Sequence, residues 1–246
     1  MKPVSGILLF GPPGCGKTLF MRSIAEEVGA KFMHIKTSNL LSPWYGESER
    51  NVTKAFEEAR KSAPCIIFFD EIEAIARSRD KVVSDDITPR IFSLMLAEMD
   101  GIDKKEGVIV VGATNVPHHL DKALLRPGRL DKLIYIPPPD KKARKEIFRI
   151  HSEKLPLAED VDFERLAKMT DRYSGADIAN ICQEVARKAI REVISDGAEG
   201  EKRKGIPGVF RKVKKALTRK TCNDEGLRRG YIQNEAQHYT SDARRI

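Results

Sequence analysis

Residues 11–18 read Gly-Pro-Pro-Gly-Cys-Gly-Lys-Thr, which fits the phosphate-binding pattern G-x-x-x-x-G-K-[ST]. The apolar run Ile7–Phe10 precedes this stretch, and a helical pattern begins at Lys17. A strand, a glycine-rich turn and a helix N-terminus in that order present backbone N–H groups to a phosphate. Lys17 is expected to reach the β- and γ-phosphates of a nucleotide, and Thr18 to hold Mg²⁺. The predicted nucleotide-binding residues of this loop are Pro13, Gly14, Cys15, Gly16, Lys17, Thr18 and Leu19.

A second apolar run ends in two carboxylates, Asp70 and Glu71. Behind a phosphate-binding loop, Asp70 is placed to bind the nucleotide and to hold its Mg²⁺, and Glu71 to polarise an attacking water as a general base. Taken alone, the same residues could be an ordinary strand end with solvated acids. The loop upstream favours the catalytic interpretation. ATP and Mg²⁺ are therefore the expected cofactors.

Composition excludes several classes of protein. The 246 residues are 41% hydrophobic and 33% charged, which is enough apolar content for a core and too much for a disordered chain. No apolar stretch approaches the ~18 residues of a membrane span, so no membrane partner is expected. The net charge of +8 lies mostly after residue 196, in a segment with 13 basic and 6 acidic residues. Four scattered cysteines without a CxxC pair predict a reducing, cytoplasmic setting.

Short apolar runs alternate with longer helical patterns, which is typical of a parallel sheet flanked by helices. The predicted strands are Ile7–Phe10, Phe32–Lys36, Cys65–Asp70, Val108–Thr114 and Leu133–Ile136. The predicted helices are Lys17–Val28, Ser48–Ser62, Pro89–Met99, Lys141–Leu155, Asp162–Met169 and Gly175–Ser195. We expect a three-layer α/β domain over residues 1–139 and a small all-helical domain over residues 140–246, separated by a proline run. The basic tail is predicted to add two short helices after a loop.

Four motifs in a fixed order resemble the AAA family of ATPases. They are GPPGCGKT at 11–18, FFDE at 68–71, GATN at 112–115 and LLRPGRLD at 124–131. Within the family they are most similar to the second ATPase domain of the valosin-containing-protein (VAT-like) unfoldases, as are residues 43–49 and 174–177. The resemblance implies a P-loop NTPase (AAA+) α/β domain followed by a helical lid domain. The segment that usually precedes the first strand and closes over the adenine is missing from the sequence as given.

The same resemblance implies a function and partners. ATP hydrolysis would drive the remodelling, unfolding or threading of polypeptide substrates through a homo-oligomeric ring, in this family a hexamer. Adaptor proteins are compatible with this scheme, and nucleic acid is not an expected partner. Two other functions stay open on the residues: a nucleic-acid remodeller that uses the basic tail, and a module that switches on ATP without turnover. The hydrolytic residues argue against the second.

The resemblance also implies roles for single residues. Asn115 corresponds to the sensor asparagine that orients the attacking water, the alternative being a turn residue after a buried strand. Arg126 and Arg129 correspond to arginine fingers that serve a neighbouring subunit, the alternative being a surface salt bridge. In the helical domain, His151 and the small pair Gly175-Ala176 correspond to positions that approach the nucleotide. A packed surface histidine is the alternative for His151.

A further segment of the resemblance concerns the polypeptide substrate. Trp44, Tyr45 and Gly46 correspond to a loop that points into the ring pore and grips an unfolded chain, and Arg90 corresponds to a second pore-loop arginine. The alternatives are a local hydrophobic plug for the aromatic pair and a solvated helix start for Arg90.

Overall fold

Five strands form one parallel sheet in the order β2-β3-β4-β1-β5 in the computed structural model. Their bounds are β1 Gly6–Phe10, β2 Lys31–Lys36, β3 Cys65–Asp70, β4 Val108–Thr114 and β5 Lys132–Tyr135. The structure describes residues 6–40, 46–77, 87–102, 107–155, 157 and 161–196. Because all five strands run the same way, their carboxyl ends meet at one edge of the sheet, where an α/β fold places its ligand.

The described residues include six α-helices. Their bounds are α1 Lys17–Glu27, α2 Glu47–Lys61, α3 Ile87–Asp100, α4 Lys141–Ser152, α5 Phe163–Met169 and α6 Gly175–Asp196. Every strand and helix predicted for the described residues is confirmed, with ends that differ by at most three residues. The two helices predicted in the tail lie outside the described residues.

The central strands are buried on both faces, which explains why they read as continuous apolar runs. On one face, Phe68 and Val111 pack with Met21 of α1. On the other, Phe69 packs in the larger cluster with Phe56 of α2 and with residues of α3. The expected three-layer arrangement of helix, sheet and helix is therefore confirmed. Alternation along β3 also turns Asp70 to the same face as Phe68, the face covered by α1.

The chain divides into two compact units, the first ending at Pro137 and the second beginning at Pro138. In the second unit, Phe148, Leu166 and Ile178 form a small core between α4, α5 and α6. Asp140 caps α4 by accepting a hydrogen bond from the backbone N–H of Ala143 at 2.7 Å. The regular elements among the described residues of this unit are the three helices α4, α5 and α6.

Candidate nucleotide-binding and hydrolysis site

The loop between β1 and α1 has the backbone that phosphate binding requires. Gly14 and Gly16 adopt φ angles of 75° and 86°, in the left-handed region that favours glycine. Gly11 has a φ of 150°, and a Cβ there would overlap the carbonyl oxygen of Ile136. Glycine is thus required at Gly11 by both conformation and space. The loop ends at the N-terminus of α1, where unpaired N–H groups and the helix dipole favour an anion.

Lys17 is buried, and its ammonium group is surrounded by acceptors. Nζ donates to the carbonyl oxygens of Gly11 and Pro12 at 2.9 Å each, and to Oδ1 of Asn115 at 2.7 Å. Burial lowers the pKa of Lys17, while the charges of Cys15, Asp70 and Glu73 act in the opposite direction. The side chain therefore lies against the loop and the end of β4, and a nucleotide phosphate would take the place of some of these acceptors.

Thr18 and Asp70 meet at the carboxyl end of β3. The hydroxyl of Thr18 donates to Oδ2 of Asp70 at 3.0 Å. The other carboxylate oxygen, Oδ1, accepts the backbone N–H of Glu71 at 3.1 Å, and the Asp70 carbonyl accepts the hydroxyl of Thr37 at 2.6 Å. A hydroxyl and a carboxylate are oxygen donors of the kind that Mg²⁺ prefers. The two residues predicted as magnesium ligands are thus adjacent and chemically suited to that ion.

Glu71 follows Asp70 in an uncommon conformation. Its φ is 54°, in the left-handed region that non-glycine residues rarely adopt and that recurs at functional sites. Its carboxylate lies 3.6 Å from Nζ of Lys36, and both side chains are about half exposed. Glu71, the predicted base, therefore lies at the carboxyl edge of the sheet, next to the Asp70 carboxylate.

The two predicted arginine fingers have different surroundings. Arg126 is exposed. Arg129 is only 16% exposed and pairs with Asp100 of its own chain at 2.7 Å. Its hydrogen bonds to Asp100 raise the pKa of Arg129 and lower that of Asp100. Arg126 is thus free of burial, whereas Arg129 links its segment to Asp100 at the end of α3.

The remaining predicted residues are distributed over both units. Gly46 precedes the first residue of α2 with a φ of 76°, and Arg90 lies in the first turn of α3. Trp44 and Tyr45 lie outside the described residues. His151 is near the end of α4, and Gly175 and Ala176 begin α6, all in the second unit. Their proximity to a nucleotide stays a prediction.

Several residues that contact the site, among them His34 and Asp100, were not predicted from the sequence. His34 of β2 lies 3.2 Å from Oδ2 of Asp70, and Asp100 holds Arg129. The signal for His34 was its position two residues before the end of a strand, since β2 and β3 pair in register from Lys31 to Lys36. This position predicts a contact with Asp70 only if β2 is known to be the neighbour of β3. Asp100 carries no comparable signal in the sequence.

The described residues contain neither a cluster of metal-ligating side chains nor a membrane-spanning helix. No group of three or more His, Cys, Asp or Glu side chains there could hold a metal ion. None of the helices in this part of the chain is long and apolar enough to cross a membrane.

A glycine-rich loop, a buried lysine and paired acids at the carboxyl edge of a parallel sheet define a P-loop nucleotide-binding site. Comparison with known proteins identifies the family. Residues 7–138 match the model described as ATPase family associated with various cellular activities (AAA), and residues 160–201 match the AAA+ lid domain. The chain belongs to the AAA family of ATPases. The fold and the ATPase class predicted from the motifs are confirmed.

One relative is similar over most of the chain. The cell division cycle protein 48 homolog of Archaeoglobus fulgidus is 52% identical over 204 residues, which cover 83% of this chain and 28% of that protein. The likeness agrees with the predicted resemblance to valosin-containing-protein-like ATPases. Because the chain spans little more than a quarter of the relative's length, the activity of the whole relative enters only as a proposal.

Proposed function

We propose that this domain hydrolyses Mg²⁺-bound ATP to drive the unfolding of polypeptides through a ring of subunits. The observation that carries the proposal is the convergence of Lys17, Thr18, Asp70, Glu71 and Asn115 at one edge of the sheet. Binding alone would need the loop and its lysine. A base and a polar side chain beside the phosphates are needed for hydrolysis.

Each residue of the site has a separate role in hydrolysis. Lys17 and the N–H groups of the loop bind the β- and γ-phosphates. Thr18 and Asp70 would hold Mg²⁺, which neutralises phosphate charge when bound. Glu71 accepts the proton of the attacking water, and the amide of Asn115 orients that water. The contact between Asn115 and Lys17 links the water position to the phosphate-binding group.

The arginine segment supports a shared site between subunits. An arginine donated by a neighbour stabilises charge that develops on the γ-phosphoryl group and is worth about 10³–10⁵ in rate. Arg126 is exposed, whereas Arg129 is paired within its own chain. We therefore assign the contact with the neighbour's nucleotide to Arg126 and the anchoring of its segment to Arg129. A subunit that gives an arginine on one face and receives one on another makes head-to-tail contacts that close into rings, here proposed as hexameric.

The residues assigned to the pore precede α2 in the chain or lie in the first turn of α3, and these two helices line the same groove. A groove of ≈ 600 Å³ is lined by Glu49 and Arg50 of α2 and by Arg90 and Leu94 of α3. The chain preceding α2 carries Trp44 and Tyr45, and Gly46 lets it turn into the helix. Aromatic side chains offer a large apolar area to any passing sequence at low rotamer cost. We place this activity in the cytoplasm, which the scattered cysteines of the sequence support.

The test is unfolding of a fluorescent protein with an unstructured tail by assembled rings. Trp44→Ala with Tyr45→Ala should abolish unfolding and leave ATP hydrolysis within a fewfold of wild type, because the loop grips the substrate and is not needed for chemistry. Trp44→Phe with Tyr45→Phe is the matched control and should retain unfolding. Undiminished unfolding by the double alanine variant would contradict threading, and salt-dependent binding of DNA or RNA would then favour a nucleic-acid remodeller.

A further inference from the structure

The imidazole of His34 contacts the Asp70 carboxylate, which we assign to Mg²⁺. Nε2 of His34 is 3.2 Å from Oδ2 of Asp70, the same oxygen that accepts the Thr18 hydroxyl at 3.0 Å. A carboxylate oxygen only accepts hydrogen bonds, so Nε2 carries the hydrogen in this contact. The donors to the Asp70 carboxylate thus come from α1, β2 and the backbone that follows β3.

The His34 ring is itself held in place by aromatic packing. It stacks on Phe32 with ring centroids 6.2 Å apart and an interplanar angle of 24°. It also packs against Phe68 at 5.7 Å. In the paired register, His34 lies opposite Phe68, and Lys36 lies opposite Asp70. The ring is therefore fixed by two strands, and its nitrogen is directed along them to the carboxylate at the strand end.

We propose that His34 is a positioning residue that orients the Asp70 carboxylate for the magnesium–nucleotide complex. The inference rests on the proposed assignment of Thr18 and Asp70 to Mg²⁺. A carboxylate that serves a metal needs a fixed orientation, and outer partners of this kind typically change metal affinity by about 10–100-fold when removed. Without His34, the Asp70 side chain keeps its contacts to Thr18 and to the Glu71 N–H but loses the donor on the β2 side.

The experiment measures binding of a fluorescent ATP analogue by the full chain in EDTA and over a magnesium titration. His34→Phe keeps an aromatic ring against Phe32 and Phe68 and removes the donor. His34→Gln replaces the ring and keeps an N–H donor at a similar reach. His34→Ala is a second variant without a donor, for use if His34→Phe does not fold.

We expect all variants to bind the analogue equally in EDTA, because the phosphate-binding loop is unchanged. The magnesium concentration for half-maximal enhancement should rise about tenfold or more in His34→Phe and His34→Ala. His34→Gln should stay near wild type. A role in packing alone predicts the reverse order, with His34→Phe close to wild type and His34→Gln impaired, and that result would overturn the inference.

Two other results have distinct meanings. A magnesium midpoint that is the same in every variant, with a clear magnesium effect in wild type, also overturns the role of His34. If wild-type binding shows no magnesium dependence, the assignment of Thr18 and Asp70 fails first. The failure of this inference is therefore separable from the failure of the proposed magnesium site.

Discussion

Arg129 and Asp100 form a two-point ion pair between the arginine segment and the end of α3. Nε of Arg129 lies 2.9 Å from Oδ1 of Asp100, and Nη2 lies 2.7 Å from Oδ2. Nη1 donates to the carbonyl of Ala123 at 2.7 Å. A guanidinium with this geometry is held more firmly than a lysine would be. The pair therefore fixes the backbone that presents the exposed Arg126.

Removing the carboxylate should loosen this segment. We expect Asp100→Asn to lower the free energy of unfolding by about 1 kcal/mol or less, since the Asp100 side chain is half exposed and the pair is partly screened. Chemical denaturation of both chains measures the difference. Glu27→Gln, an exposed carboxylate at the end of α1, is the control and should leave stability unchanged.

The difference in the free energy of unfolding between wild type and Asp100→Asn should depend on pH. The hydrogen bond from Arg129 holds the pKa of Asp100 below its usual value. A carboxyl group whose pKa is depressed in the folded state stabilises the fold above its usual pKa, and this contribution is lost as the pH falls through the folded-state pKa. The free energy of unfolding of wild type should thus exceed that of Asp100→Asn by the full amount at neutral pH and by less in acid. A gap that widens in acid would contradict the ion pair.

A shared active site predicts rescue in mixed rings. A Glu71→Gln chain lacks the base but can donate Arg126, and an Arg126→Ala chain keeps the base but donates no arginine. Mixtures should hydrolyse ATP faster than the sum of the two proteins alone, because some intact bases then face an intact arginine. Replacing the second chain by one with both changes is the control and should give no rescue. Mixed rings without any rescue would contradict donation between subunits.

Cysteine reactivity tests the location of the nucleotide. Burial raises the pKa of Cys182 to about 11 and also raises that of Cys65, so burial makes both thiols less reactive. Cys15 lies in the phosphate-binding loop and is only partly buried. Among these three described cysteines, iodoacetamide should modify Cys15 first, and ATP should slow that modification. Peptide mass spectrometry identifies the sites; labelling of Cys15 that ATP does not affect would contradict binding at the loop.

The sequence was sufficient for the parts of the site that follow one another along the chain. The loop at 11–18 lies between β1 and α1, and Asp70 and Glu71 end a buried run, so the loop motif and the strand pattern together could predict both. Parallel strands bring such ends to the same edge of the sheet whatever the order of the strands. Lys17 contacts Asn115 and lies within electrostatic reach of Asp70 at that edge.

Contacts across the fold could not be predicted in this way. His34 reaches Asp70 only because β2 and β3 are neighbours, and strand order is not encoded in local periodicity. Asp100 and Arg129 meet because α3 and the loop after β4 pack together, and each residue alone reads as an exposed charge. The different roles that we assign to Arg126 and Arg129 likewise depend on this packing.

The central claim is that Glu71 is the base of an ATP hydrolysis site built by Lys17 and Asp70. The most direct measurement compares ATP binding and single-turnover hydrolysis in Glu71→Gln, with Glu27→Gln as the matched control. Glu71→Gln should bind ATP as wild type does and hydrolyse it about 10²–10⁴-fold more slowly, whereas Glu27→Gln should do both normally. Hydrolysis by Glu71→Gln at the wild-type rate would contradict the account.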